Sequence, residues 1–143
     1  MLREVKHEDL ESLLHLLHQL SEPSEEDKNV DQAQLKAAMK KMVEDENHCL
    51  YVLEQDGKLL GTGMLLVQLN LSHGGKPYGH IENIVVDSEC RKQGIGKSII
   101  MHLIDKAKEK GCYKVILNCK SENMPFYGRC GLKKGEIEMR LDF

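Results

Sequence analysis

Arg91-Lys92-Gln93-Gly94-Ile95-Gly96-Lys97-Ser98 stands between an apolar stretch of strand character, Ile84-Val85-Val86, and a helical stretch from Ile99 to Lys110. Two glycines one residue apart let the backbone turn so that several N–H groups point into one space. The helix that follows adds its own unpaired N–H groups and the positive end of its dipole. These residues therefore read as a cradle for an anion of pyrophosphate size, set at a strand-to-helix junction.

Working outward, His80 to Asp87 is the strand before the cradle, and Gly111 stops the helix after it. Tyr113 to Cys119 reads as a further strand, Met124 to Cys130 as a short helix ended by Gly131, and Glu136 to Phe143 as a closing strand. Upstream, Leu2 to Val5 suits a first strand. Leu10, Leu13, Leu14, Leu17 and Leu20 mark the core face of a helix. The polar, proline-containing Ser21 to Asn29 reads as a loop, and Asp31 is placed to cap a second helix carrying Leu35, Met39, Met42 and Val43. Cys49 to Leu53 and Leu59 to Leu69 flank Gln55-Asp56-Gly57, a hairpin signal. Gly61 and Gly63 inside the second run mark either a bulge, a close approach or a weakened strand. The sum is an α+β fold in one domain, residues 1–143.

Composition narrows the function classes. The net charge is -3, with no tail of like charges, which argues against a general nucleic-acid binder. No apolar run approaches the length of a bilayer span, so no membrane partner is expected. Five cysteines without a CxxC pair fit reduced thiols in a cytoplasmic protein better than a disulfide framework or a zinc site. His15 and His18 could face a metal together, but nothing nearby completes a ligand set, so they read as solvated and no metal is expected.

Three phosphate loops compete for residues 91–98. A Rossmann fingerprint needs glycine where Ile99 stands. A Walker A loop needs it where Arg91 stands, and Asn118 occupies the place of a magnesium-holding acid. What remains is an R-x-x-G-x-G loop, supplied by Arg91, Gly94 and Gly96, of the kind that holds the pyrophosphate of coenzyme A. Around it stand Gly79-His80-Ile81-Glu82-Asn83-Ile84-Val85-Val86, Gly111-Cys112-Tyr113-Lys114-Val115-Ile116-Leu117, and Asn123 with Phe126-Tyr127 and Cys130-Gly131. In this order and spacing the chain resembles the GNAT superfamily of acyl-CoA N-acyltransferases, most closely the eukaryotic glucosamine 6-phosphate N-acetyltransferases.

That resemblance implies a mixed, largely antiparallel sheet, flanked by helices and splayed open between the strands ending at Asp87 and Cys119. It implies acetyl-CoA as cosubstrate, held by Ile84, Val85, Val86, Arg91, Lys92, Gln93, Gly94, Ile95, Gly96, Lys97, Asn123 and Tyr127. Tyr127 would donate a proton to the departing thiolate, or else pack as an aromatic residue. Asn123 would position the coenzyme arm or cap its helix. The backbone of Ile84 to Val86 would supply an N–H to the thioester oxygen.

At the acceptor side the chain departs from the family it resembles. Asn83 and Asn118 stand where the amino-sugar enzymes carry acids, leaving Glu82 as the carboxylate in that strand segment. An amine of pKa about 10.4 is neutral only about one part in 2500 at pH 7, a penalty of about 4.6 kcal/mol, whereas one near 7.8 loses about 1 kcal/mol. The site therefore suits an amine of low pKa, with Glu82 acting through water or standing as a solvated carboxylate. Tyr127, Glu82 and Asn118 are the catalytic candidates. Glu82, Asn83 and Tyr78, bordered by His73 and Lys76, are the acceptor-binding ones. The family's final strand lends a basic residue to the partner subunit's phosphate site; the resemblance puts Asp142 at that position, with Arg140 its substitute in another register. The expected activity is N-acetylation of a small primary amine by direct attack, glucosamine 6-phosphate leading. Another small amine or a peptide N-terminus is the alternative, as is a non-catalytic acetyl-CoA-binding module. A homodimer is implied by the same resemblance.

Overall fold

Asp56 and Gly57 both take positive φ, 52° and 76°, in the computed structural model, which describes residues 1–143. Two such residues match the right-handed twist of the strands they join. They link β2 (His48–Gln55) to β3 (Lys58–Gln68). With β1 (Leu2–Glu4), β4 (Tyr78–Val86) and β5 (Val115–Ile116) these form one sheet in the order β1-β2-β3-β4-β5. Every pairing is antiparallel except β4 with β5, which is parallel. Parallel neighbours need a crossover. Here it is α4 (Ile95–Glu109), the helix that begins at the glycine loop.

Strand alternation sends successive residues to opposite faces, and two apolar layers result. On one face Tyr51, Leu65, Val67 and Ile81 pack against Ile95, Ile99, Ile100, Leu103 and Ala107 of α4. On the other, Val52, Leu59 and Val85 meet Leu13 and Leu16 of α1 (Leu10–Leu17) and Met39 of α3 (Gln32–Glu44). Ile99, Ile100 and Leu103 expose 0% of their surface, so each contributes about 1.5–3 kcal/mol of burial. α4 approaches the sheet closely because β3 offers it glycine. A Cβ on Gly63 would lie 2.7 Å from Ile99 Cγ2, and one on Gly61 2.9 Å from Ile99 Cδ1. Beneath this frame Asp9 is clamped by Arg3 through two hydrogen bonds, 2.7 and 2.8 Å, and accepts the Lys6 N–H at 2.7 Å.

Four sequence expectations are corrected. The segment Ser21 to Asn29 is not all loop: Ser24 and Asp27 bond reciprocally and start the short helix α2 (Glu25–Asn29). The core face of α1 includes Leu16 but not Leu20, which lies beyond the helix end and is 52% exposed. The strand expected over 113–119 is laddered only at Val115 and Ile116, because β4 and β5 part beyond that point. Finally, 136–143 joins no strand: no backbone partner for it exists within the chain. Ile137, Met139, Leu141 and Phe143 are all largely exposed. Asp31 does cap α3, accepting the Ala33 N–H at 3.0 Å.

Candidate active site

The site begins as a fault in β4. The β3–β4 register shifts between Thr62 and Met64, so that Gly63 faces two residues, Asn83 and Ile84, and Asn83 takes a left-handed φ of 54°. This is a bulge, which bends its strand and re-aims the residues around it. Asn is among the few residues with a Cβ that tolerate that conformation. Gly63 is required opposite, since a Cβ there would come within 2.6 Å of Ile84 Cδ1. Gly61 and Gly63 thus mark both a bulge and a close approach.

Beyond the bulge the sheet opens. The last β4–β5 pair is His80 with Ile116; continuing that register puts Glu82 opposite Asn118 across the gap. Asp87 still donates its N–H to Leu60 of β3 at 2.9 Å, so strand alternation turns Val86 toward the open edge. There its carbonyl accepts from Arg91 Nε at 3.4 Å. Glu82 is half-buried and forms no ion pair, while Asn83 and Asn118 are exposed. The two amides and the carboxylate border one gap.

The mouth of the gap is the glycine loop. Lys92 and Gly94 take positive φ, 65° and 79°, and Gly94 stands as the N-cap of α4. The first helical bond runs from Ser98 N–H to Gly94 C=O at 3.0 Å. The N–H groups of residues 92 through 97 accordingly donate to no acceptor in the protein. Convergent unpaired N–H groups at a helix start fit a pyrophosphate, with Arg91, Lys92 and Lys97 exposed beside them. The lead-in is fixed by Asp87, 4% exposed, whose carboxylate accepts the Glu89 N–H at 3.0 Å and pairs with Lys58 at 3.4 Å. Those bonds, Glu89's first and Lys58's after it, hold the Asp87 carboxyl below the usual range.

Opposite the cradle lies α5 (Met124–Arg129). Phe126 rests on α4: a Cβ at Gly96 would be 3.1 Å from its ring. Gly96 is therefore the contact that docks α5, a role the sequence did not disclose. Phe126 and Tyr127 stack edge to face at 5.0 Å. Tyr127 is half-buried, and burial foremost, then the nearby Cys119 and Cys130, pushes its phenol above the ordinary range, keeping it protonated. Asn123 precedes the helix but makes no side-chain capping bond, which removes capping as its use.

Tyr78 lies apart from this group. It begins β4, beyond the paired residues and away from the splay, in a cluster with Tyr113 at 6.0 Å and Lys114 at 5.1 Å. His73 stacks on Tyr113 at 4.0 Å, so the 73–75 turn sits at that same end. A cavity of ≈ 1010 Å³ forms a trough along α1 that shares Lys58 and Asp87 with the cradle lead-in but none of its N–H groups. The splay, not that trough, holds the convergent chemistry.

A sheet opened between two parallel strands and closed at one end by an N–H cradle defines the acyl-CoA N-acyltransferase class of fold. Residues 10–132 match the Acetyltransferase (GNAT) family, and the chain belongs to it. It is 43% identical over 86 residues to a glucosamine 6-phosphate N-acetyltransferase of Trypanosoma brucei brucei, covering 60% of this chain and 58% of that protein. It is 38% identical over 100 residues to the Arabidopsis thaliana glucosamine 6-phosphate N-acetyltransferase, covering 68% and 67%. The crystal structure of glucosamine-6-phosphate N-acetyltransferase from Arabidopsis thaliana superposes with a TM-score of 0.90 at 31% identity, over 100% of this chain and 97% of that one. The matched part thus spans about three-fifths to two-thirds of these curated relatives' length. No helix is long and apolar enough to cross a membrane.

Proposed function

We propose that this chain is an N-acetyltransferase that moves an acetyl group from acetyl-CoA to a small primary amine, with glucosamine 6-phosphate the leading acceptor. The observation that carries it is the set of unpaired N–H groups from Lys92 to Lys97 at one end of the β4–β5 gap, with Tyr127 on the short helix that packs Phe126 against Gly96 of the cradle. The names of the relatives support the acceptor. Acetyl-CoA supplies the activated thioester.

The chain's own groups divide the remaining work. The cradle holds the pyrophosphate, and the open edge of β4 at Ile84 and Val86 offers backbone N–H to the thioester oxygen, a fixed dipole that stabilises charge as it develops. Asn123, bonded to nothing in the helix it precedes, is available to the coenzyme arm. Tyr127, held protonated by burial, donates to the leaving thiolate. The amine attacks from the side of Glu82, Asn83 and Asn118. Neither amide can take its proton, so Glu82 receives it through water while Asn118 orients the amine. Such a site favours an acceptor that is substantially neutral near pH 7. Amino sugars meet that condition better than alkyl amines.

A homodimer is part of this reading. The alternating apolar side chains of 137–143 are exposed in the single chain, as a segment that pairs with a second copy would be. Arg140 and Asp142 form an ion pair at 2.7 Å within that segment, so Asp142 carries a compensated charge that repels a phosphate less than a free carboxylate would. Five free thiols support a cytoplasmic location.

The test is release of free coenzyme A thiol on incubation with acetyl-CoA and a panel of amino sugars, amino acids, peptides and polyamines. Release that depends on glucosamine 6-phosphate is expected. Tight acetyl-CoA binding without amine-dependent release would instead make the protein a binding module.

A further inference from the structure

The start of the cradle is anchored by a residue far away in sequence. Gln19, half-buried in the turn that follows α1, accepts the N–H of Ser88 through its Oε1 at 2.9 Å. Ser88 opens the short 3-10 turn Ser88–Cys90, which feeds Arg91 and the loop beyond. On its other side Gln19 leads within two residues into the polar stretch Ser21 to Asn29, which carries α2. No other hydrogen bond joins residues 18–31 to residues 87–97. Lys58 and the Asp87 cap hold the lead-in from the sheet. Gln19 holds it from the opposite, helical layer.

We propose that Gln19 is a positioning residue that fixes the lead-in of the coenzyme cradle from the helical layer. It fixes Ser88 so that the N–H groups of 92–97 converge. This inference rests on the acetyl-CoA reading above.

Two substitutions remove the bond from opposite ends. Gln19→Met keeps length and packing but deletes the acceptor. Ser88→Pro deletes the donor at the first position of a helical turn, where proline is tolerated, after Asp87, whose ψ of 131° suits a residue before proline. Calorimetric titration of coenzyme A into the full chain is expected to show a Kd raised about three- to tenfold in each single variant, the range set by one lost hydrogen bond. The double variant is expected to be no weaker than the weaker single, the mark of a shared interaction. Steady-state assays are expected to show a raised acetyl-CoA KM with kcat little changed.

Single variants that bind coenzyme A like the wild type, or a double variant whose losses multiply, would overturn the positioning role. A fall in unliganded Tm with unchanged Kd would also overturn it, leaving Gln19 a merely structural residue. Failure of the wild-type chain to bind coenzyme A would remove the cradle reading itself and this inference with it.

Discussion

The donor end and the tail of this molecule are built in opposite ways. From Glu82 to Lys97 each turn of the chain is tied down: a bulge faced by glycine, a capped and ion-paired Asp87, a positive-φ glycine starting a helix buried along one side. From residue 133 to 143 there is no strand and no helix, and the alternating apolar side chains face outward. The difference shows what each region needs. A cradle of backbone N–H groups works only if its own chain fixes it, whereas a strand without a neighbour acquires structure only from one. The cradle is therefore built by contacts within the chain, whereas 133–143 is left without a neighbour in it.

The largest effect should come from Tyr127→Phe, which tests whether the donor end does chemistry or only holds its ligand. A fall in rate of about 10- to 1000-fold with unchanged acetyl-CoA affinity is expected, and a rate equal to wild type would leave Tyr127 as packing. Next is the frame that both regions share. Asp9→Asn should destabilise the fold by about 2 kcal/mol, less than a fully buried pair because the clamp's edge is solvated. Arg3 holds the Asp9 carboxyl below its ordinary value. Its contribution is then fully present above the unfolded carboxylate range and lost as pH falls through the depressed folded value. Denaturant melts should show wild-type stability declining below about pH 4 and the variant's declining less there.

Gly94→Val should weaken coenzyme A binding about tenfold, since a β-branched residue at φ 79° is strained even though the space around it is open. Calorimetry reads this directly; wild-type affinity would move the pyrophosphate elsewhere. The smallest change is expected from removing residues 136–143. Coenzyme affinity should hold while acceptor KM rises severalfold and sedimentation reports a monomer. A truncated chain with unaltered acceptor kinetics would break the contrast between the two ends.

Much of the donor end could be read from sequence because its signals are local. Gly94, the Asp56-Gly57 turn, the Asp31 cap and the Gly111 stop are each decided by a few neighbouring residues. Gln19 and Lys58 were invisible because their partners lie 69 and 29 or more residues away. Phe126 against Gly96 was hidden for the same reason, a contact between two helices that no periodicity records. The expected closing strand shows the converse. Alternation at Ile137, Met139, Leu141 and Phe143 reports a capacity to pair, and says nothing of whether the partner belongs to the same chain.

Asn83 has a further consequence. Its φ of 54° lies where asparagine and aspartate are both at ease. A single replacement of amide nitrogen by oxygen at this bulge would hand the gap a second carboxylate while leaving the backbone path, the glycine opposite and the cradle as they are. The position thus acts as a chemical dial on a fixed mount: the basicity of the amine a site of this shape accepts can be reset by one side chain, without rebuilding the fold that presents it.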